Sequence, residues 1–186
     1  MTKTTVKTKN KRIFDVVFTV ILIFSILFVV FLTRFWITLS VVDGDSMNNT
    51  LIDGDILITN NLKKPKFGDI VVFEYDKNEN YIKRIIATEG DVIYNDEHGN
   101  VWLKKAGEEQ ASILIEPYLD EGVKTGIQFY CEVQEGEYFV MGDNRGNSQD
   151  SRIIGAMKKE QIIGVVSDFW VGKKEFTTKL FNFRRK

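Results

Sequence analysis

Val16-Val-Phe-Thr-Val-Ile-Leu-Ile-Phe-Ser-Ile-Leu-Phe-Val-Val-Phe-Leu32 contains no charged residue and divides the chain in two. Its length approaches what a bilayer hydrocarbon core requires, and Thr19 and Ser25 can return their hydroxyl protons to the preceding helical turn. A helix with no polar face does not suit the boundary of a soluble core. A cleavable leader is also disfavoured: the run is too long, and Thr33-Arg34-Phe35-Trp36 is not a small-x-small cleavage site. The reading is a retained transmembrane anchor over residues 13–34.

On its amino side lie Lys3, Lys7, Lys9, Lys11 and Arg12 without an acid, whereas close on the other side there is only Arg34. The bias toward basic cytoplasmic flanks predicts a cytoplasmic tail at 1–12 and an extracytoplasmic domain over 35–186, with Phe35 and Trp36 at the outer headgroups. The next most apolar run, Ile162–Val171, is interrupted by Ser167 and Asp168, so one span is expected.

Beyond Ile37 the texture becomes one of short β-branched runs opened by Gly-Asp: Gly54-Asp55-Ile-Leu-Ile-Thr59, Gly68-Asp69-Ile-Val-Val-Phe73 and Gly90-Asp91-Val-Ile-Tyr94. Glycine and aspartate supply turns, and the β-branched residues the strands that follow. Asp91–Tyr94 and Val101–Leu103 flank a Gly-Asn turn as a hairpin, and Tyr138–Met141 is a further strand. Residues from about 104 to 132 alternate poorly and read as a small appended lobe or a long excursion. Helix is expected only around Lys158–Ile163. The fold class is therefore mainly β, a mixed-β domain behind a single anchor helix. The basic, aromatic end Phe181–Lys186 reads as a solvated tail or a headgroup contact.

The 186 residues include one histidine and one cysteine, at a formal net charge of -1. His98 sits in the polar turn Asn95–Asn100, which does not provide a pocket for a Ser-His-Asp triad. One histidine and one cysteine cannot assemble a His/Cys zinc site, and Cys131 has no internal disulfide partner. Balanced charge gives no basic footprint for nucleic acid. The expectation is no metal, no cofactor and no nucleic-acid partner.

Val42-Asp-Gly-Asp-Ser-Met-Asn-Asn-Thr-Leu51 places Ser46 in a tight turn, where a hydroxyl either bonds its own backbone or is presented as a nucleophile. In the strand Tyr81-Ile-Lys-Arg-Ile-Ile86, alternation sends Lys83 and Arg84 to opposite faces, so only one of them faces the core. Lys83 is either an edge-blunting surface lysine or a buried one, and only a buried lysine surrenders its proton near neutrality. A free lysine, with a pKa of about 10.4, is an amine in fewer than roughly one molecule in a thousand at pH 7. An acid beside it would push the wrong way, so a hydroxyl is the better orienting partner. Ser148 and Ser151 in Gly142-Asp-Asn-Arg-Gly-Asn-Ser-Gln-Asp-Ser-Arg152 offer one, among Asp143, Arg145, Asp150 and Arg152, whose opposite charges suit ion pairs.

Together, GDSMNNTL at 44–51, GDIVVF at 68–73, YIKRIIATEGD at 81–91 and GDNRGNSQDSR at 142–152, behind an amino-terminal anchor, resemble bacterial type I signal peptidase, the membrane-bound serine protease that removes signal peptides from exported preproteins. The resemblance implies a catalytic domain of the signal peptidase and SOS-repressor type. It also implies Ser46 as nucleophile, Lys83 as general base, Ser148 bonding Lys83, Asp150 and Arg152 as a structural pair, and the Ser46 backbone N–H in the oxyanion hole. Implied partners are preprotein signal peptides, cut after small-x-small motifs, and membrane lipid. Two positions depart from the pattern. Asn49 stands where many members have proline, which removes a φ restraint, and Gly44 stands where some carry a hydroxyl that completes the oxyanion hole. Glycine also occurs there in Gram-positive relatives.

Two other classes compete. The self-cleaving SOS repressors share the Ser-Lys chemistry but carry a DNA-binding domain where this chain has a span. A non-catalytic or narrowly dedicated assembly factor for surface proteins or pili is the alternative function; a non-catalytic one should have lost Ser46 or Lys83, and both are present.

Overall fold

The computed structural model describes residues 3–77 and 79–172. The chain divides into two compact units between residues 37 and 38. In the first, helix α1 runs Lys3–Phe35. Its apolar portion, Ile13–Leu32, has a mean hydropathy of 2.9 and is unburied, as a helix long and apolar enough to cross a membrane would be. Thr19 Oγ1 donates to Asp15 O and Ser25 Oγ to Leu22 O, both at 2.8 Å, so the two hydroxyls are satisfied within the helix.

The second unit is built on antiparallel strands. A large sheet contains β1 (Ile37–Val41), β2 (Ile56–Asn60), β3 (Ile70–Asp76), β4 (Glu79–Thr88), β9 (Glu137–Met141), β10 (Met157–Lys158) and β11 (Ile162–Gly172), in the order β1-β2-β11-β3-β4-β9-β10. A smaller sheet has the order β7-β6-β5-β8, from β5 (Val92–Asn95), β6 (Val101–Lys104), β7 (Ser112–Ile113) and β8 (Tyr130–Glu132). Each Gly-Asp pair opens a strand as the turn chemistry requires: Gly54, Gly68 and Gly90 have φ of 86°, 84° and 80°, in the left-handed region that a side chain disfavours.

Three expectations change. The run Ile162–Val171 belongs to strand β11, threaded between β2 and β3, and the helix expected at 158–163 is a single 3-10 turn at Lys159–Gln161. A four-residue helix α2, Ser151–Ile154, was not expected. Residues 104–132 are not self-contained: they lend β7 and β8 to the small sheet, while Leu114, Tyr118, Phe129 and Cys131 pack on the core cluster of Ile86, Ile93, Leu103 and Phe139. The tail at 181–186 lies outside the described residues.

Candidate active site

Three chain segments converge around Lys83 of the large sheet. The first is the turn carrying Ser46. Met47 and Leu51 are each 1% exposed and plug into the cluster of Val42, Leu57, Val72 and Val166. Burial of each is worth about 1.5–3 kcal/mol, which fixes the turn from beneath while Ser46 stays half-exposed on top. Gly44, at φ 91°, supplies a left-handed residue two positions before Ser46, where its N–H donates to Asp53 Oδ1 at 3.2 Å.

The second segment is β4. Lys83 pairs with Val71 of β3 and is only 3% exposed. Its Nζ donates to Ser46 Oγ at 2.8 Å and to Ile82 O at 2.9 Å. Burial lowers its pKa from 10.5 to about 8, against the weaker opposing pull of the Asp150 carboxylate. Arg84 points the other way, yet its side chain is only 11% exposed, because that face is also covered. Its guanidinium grips Asp143 through Nε (2.9 Å) and Nη2 (2.6 Å), donates to Gly68 O at 3.0 Å, and lies 3.9 Å from the Tyr118 ring centroid. The two cations thus lie on opposite faces of β4, as alternation requires, and the face that carries Arg84 is covered by Asp143 and Tyr118.

The third segment is the loop from Gly142. Since Arg84 pairs with Met141, this loop begins beside Lys83. Asn144 N donates to Ser46 O and its Nδ2 to Asp45 O, both at 3.0 Å, so the loop is stitched to the nucleophile turn. Asp150 and Arg152 are fully buried and joined at 2.7 Å through both Nε and Nη2. Asp150 Oδ2 also accepts from Gly142 N (2.9 Å) and Ser148 Oγ (2.7 Å). Burial alone would raise this carboxyl's pKa; Arg152 and these donors outweigh it and hold the pKa low.

The structure thus brings Ser46 and Lys83 together and places Ser148 and the Asp150–Arg152 pair behind them. It alters one detail: the single proton of Ser148 is committed to Asp150, so Ser148 cannot donate to the Lys83 amine as expected from a hydroxyl partner. Ser151, the other hydroxyl considered, donates nothing to Lys83 either; its Oγ accepts from Val140 N at 2.9 Å. His98 is exposed in its hairpin turn. Among the described residues, no group of three His, Cys, Asp or Glu side chains is arranged for a metal ion. Sequence reasoning missed Arg84, Thr50 and Asp143 as a connected group, and Glu116 and Tyr118 behind them.

Beside Ser46 and Lys83 runs a groove of about 440 Å³, walled by Val41–Met47 on one side and Asn80–Lys83 on the other. The family model described as signal peptidase, peptidase S26, matches residues 14–171. The chain belongs to the signal peptidase S26 family. It is similar to signal peptidase IB of Staphylococcus aureus strain COL, with 33% identity over 87% of this chain and 91% of the relative. Against signal peptidase I of Aquifex aeolicus strain VF5, identity is 31% over 75% and 77%. A crystal structure of a signal peptidase I from Enterococcus faecalis V583 is 27% identical, covers 56% of this chain and 98% of its own, and gives a TM-score of 0.46. As an S26 signal peptidase, the chain couples an amino-terminal apolar helix to an antiparallel β domain.

Proposed function

We propose that the protein is a membrane-anchored serine endopeptidase of the signal peptidase I type that removes amino-terminal signal peptides from exported preproteins after small-x-small sequences. The observation that carries this reading is the 2.8 Å contact of Lys83 Nζ with Ser46 Oγ at a position where burial brings the lysine pKa to about 8. At neutral pH about one Lys83 in ten is then a free amine, against fewer than roughly one in a thousand for a solvated lysine.

Ser46 Oγ attacks the scissile carbonyl carbon as Lys83 takes its proton. The Ser46 backbone N–H has no acceptor among the described residues and is available to the developing oxyanion. The Lys83 ammonium then protonates the departing amine, the peptide bond breaks, and the regenerated amine activates water against the Ser46 ester. Ser148, Asp150 and Arg152 hold the loop that backs Lys83. For substrate, β4 outruns its neighbour: residues 79–82 pair with β3, whereas pairing with β9 starts at Arg84. That edge faces the groove and suits an extended peptide added as a strand.

The basic residues before Ile13 favour a cytoplasmic amino terminus and an extracytoplasmic catalytic unit. The anchor holds enzyme and membrane-borne preprotein on one surface, which raises their effective concentration. The test is to incubate the full chain in detergent micelles with a preprotein bearing Ala-x-Ala. A shortened product with wild type, absent with Ser46→Ala, supports the reading; no product with wild type, or the same product with Ser46→Ala, overturns it.

A further inference from the structure

The three segments of the site are far apart in sequence, yet a hydrogen bond between Lys83 and Ser46 tolerates only a few tenths of an ångström of slack. The turn carrying Ser46 also lacks the φ restraint that a proline at position 49 would give. A restraint reaches it from outside. Asn49 Nδ2 donates to Asp120 Oδ2 at 2.6 Å, across 71 positions of sequence. Two residues earlier, the Tyr118 ring stacks on the Arg84 guanidinium at 3.9 Å, immediately after Lys83 in β4. Two residues earlier again, Glu116 receives both terminal nitrogens of Arg145, and this pair is buried, with side chains 8% and 1% exposed. Arg145 Nε in turn donates to Gly142 O at 3.1 Å, and Arg145 O accepts from Arg152 Nη1 at 2.8 Å.

Glu116, Tyr118 and Asp120 therefore touch, respectively, the Gly142–Arg152 loop, the base strand and the nucleophile turn. They project from a stiff piece of chain. Pro117 fixes φ at the second position of a turn closed by Leu119 N to Glu116 O at 3.0 Å, and Leu114 and Tyr118 pack on the core.

We infer that residues 116–120, between β7 and β8, are a brace that sets the Ser46 turn against Lys83, with Glu116, Tyr118 and Asp120 as its positioning residues. This rests on the Ser46–Lys83 reading above. None of the three lines the groove beside Ser46 and Lys83; each acts through a residue of a catalytic segment. The brace replaces, from a distance, stiffness that the turn's own sequence lacks.

The experiment is kinetic, on the full chain in detergent micelles with an Ala-x-Ala signal-peptide substrate. Asn49→Asp sets two carboxylates face to face and should lower kcat about tenfold with KM unchanged. Adding Asp120→Asn reverses donor and acceptor and should recover most of that loss. Tyr118→Leu should also lower kcat about tenfold, and Tyr118→Phe, which keeps the ring over Arg84, should lose less. Melting temperatures recorded alongside separate folding from positioning. Variants with wild-type kcat and KM overturn the inference alone. So does a kcat loss that follows the melting temperature and is not recovered by the exchanged pair, because a merely structural segment behaves that way. A wild type that cuts nothing overturns the peptidase reading, and this inference falls with it.

Discussion

Gly142 and Ser148 approach so closely that only a hydrogen fits between them: a Cβ placed on Gly142 would stand 2.6 Å from Ser148 Cβ and 2.5 Å from the Ser46 carbonyl oxygen. The glycine is there for proximity and not for a left-handed backbone. It lets the loop carrying Ser148 and Asp150 lie directly against the nucleophile turn.

Gly142→Ala should therefore push Ser46 and Ser148 apart. Backbone and a buried loop have little room to give, so the expected result is a fall in kcat of about a hundredfold and a lower melting temperature. Steady-state cleavage and thermal unfolding of the same preparation measure both.

Lys83 carries a stability cost as well as a role. Folded, it releases its proton at about 8; unfolded, near 10.5. Between those values the unfolded chain binds more protons, so stability rises with pH across that window, and below pH 8 the buried lysine costs about 3 kcal/mol. Lys83→Met should abolish cleavage and raise the melting temperature at pH 7 by several degrees, with the difference shrinking toward pH 10. Calorimetry at a series of pH values reads the trend.

Asp150→Ala leaves Arg152 charged and buried without its partner and removes the acceptor of Gly142 N–H and the Ser148 hydroxyl. Breaking such a pair from one side costs about 3–5 kcal/mol. Because Arg152 and the surrounding donors hold the Asp150 pKa below 3.8, its contribution is present above that pH and is lost as the pH falls through the folded value. Denaturant unfolding at pH 7 should show the loss in full, and acid titration should show wild type and variant converging.

Arg84→Lys keeps a charge but gives up the two-pronged grip on Asp143 and the stacking on Tyr118. A fall in kcat of about tenfold with unchanged KM is expected in the signal-peptide assay. A change confined to KM would place Arg84 in substrate binding instead.

Much of this site was legible because its chemistry lies in short local patterns. The Gly-Asp turns open strands, alternation in Tyr81–Ile86 separates Lys83 from Arg84, and the opposite charges interleaved in the Gly142–Arg152 loop form ion pairs, with Asp150 and Arg152 joined as the resemblance implies. What covers each face of a strand is not local. Arg84 is covered by Asp143 and Tyr118, 59 and 34 residues away in sequence, and the insertion of β11 between β2 and β3 depends on pairing across the whole domain. The apolar run Ile162–Val166 fits a buried strand or a helical segment equally well by composition, and register in the sheet decides it. The resemblance points to Ser148, but the direction of its proton depends on Asp150 lying 2.7 Å away. Segment 116–120 looked featureless for want of apolar alternation; Pro117 between an acid and a tyrosine, with Asp120 following, is the signal that marks a rigid turn with polar side chains to place.

The pH dependence of cleavage tests the Ser46–Lys83 pairing most directly. With a signal-peptide substrate bearing Ala-x-Ala, kcat/KM of the wild type measured from pH 6 to 10 should rise with a midpoint near 8, and both Ser46→Ala and Lys83→Ala should be inactive throughout. A wild-type profile that is flat over that range, or residual cleavage by Lys83→Ala with the same rising limb, would contradict Lys83 as the base.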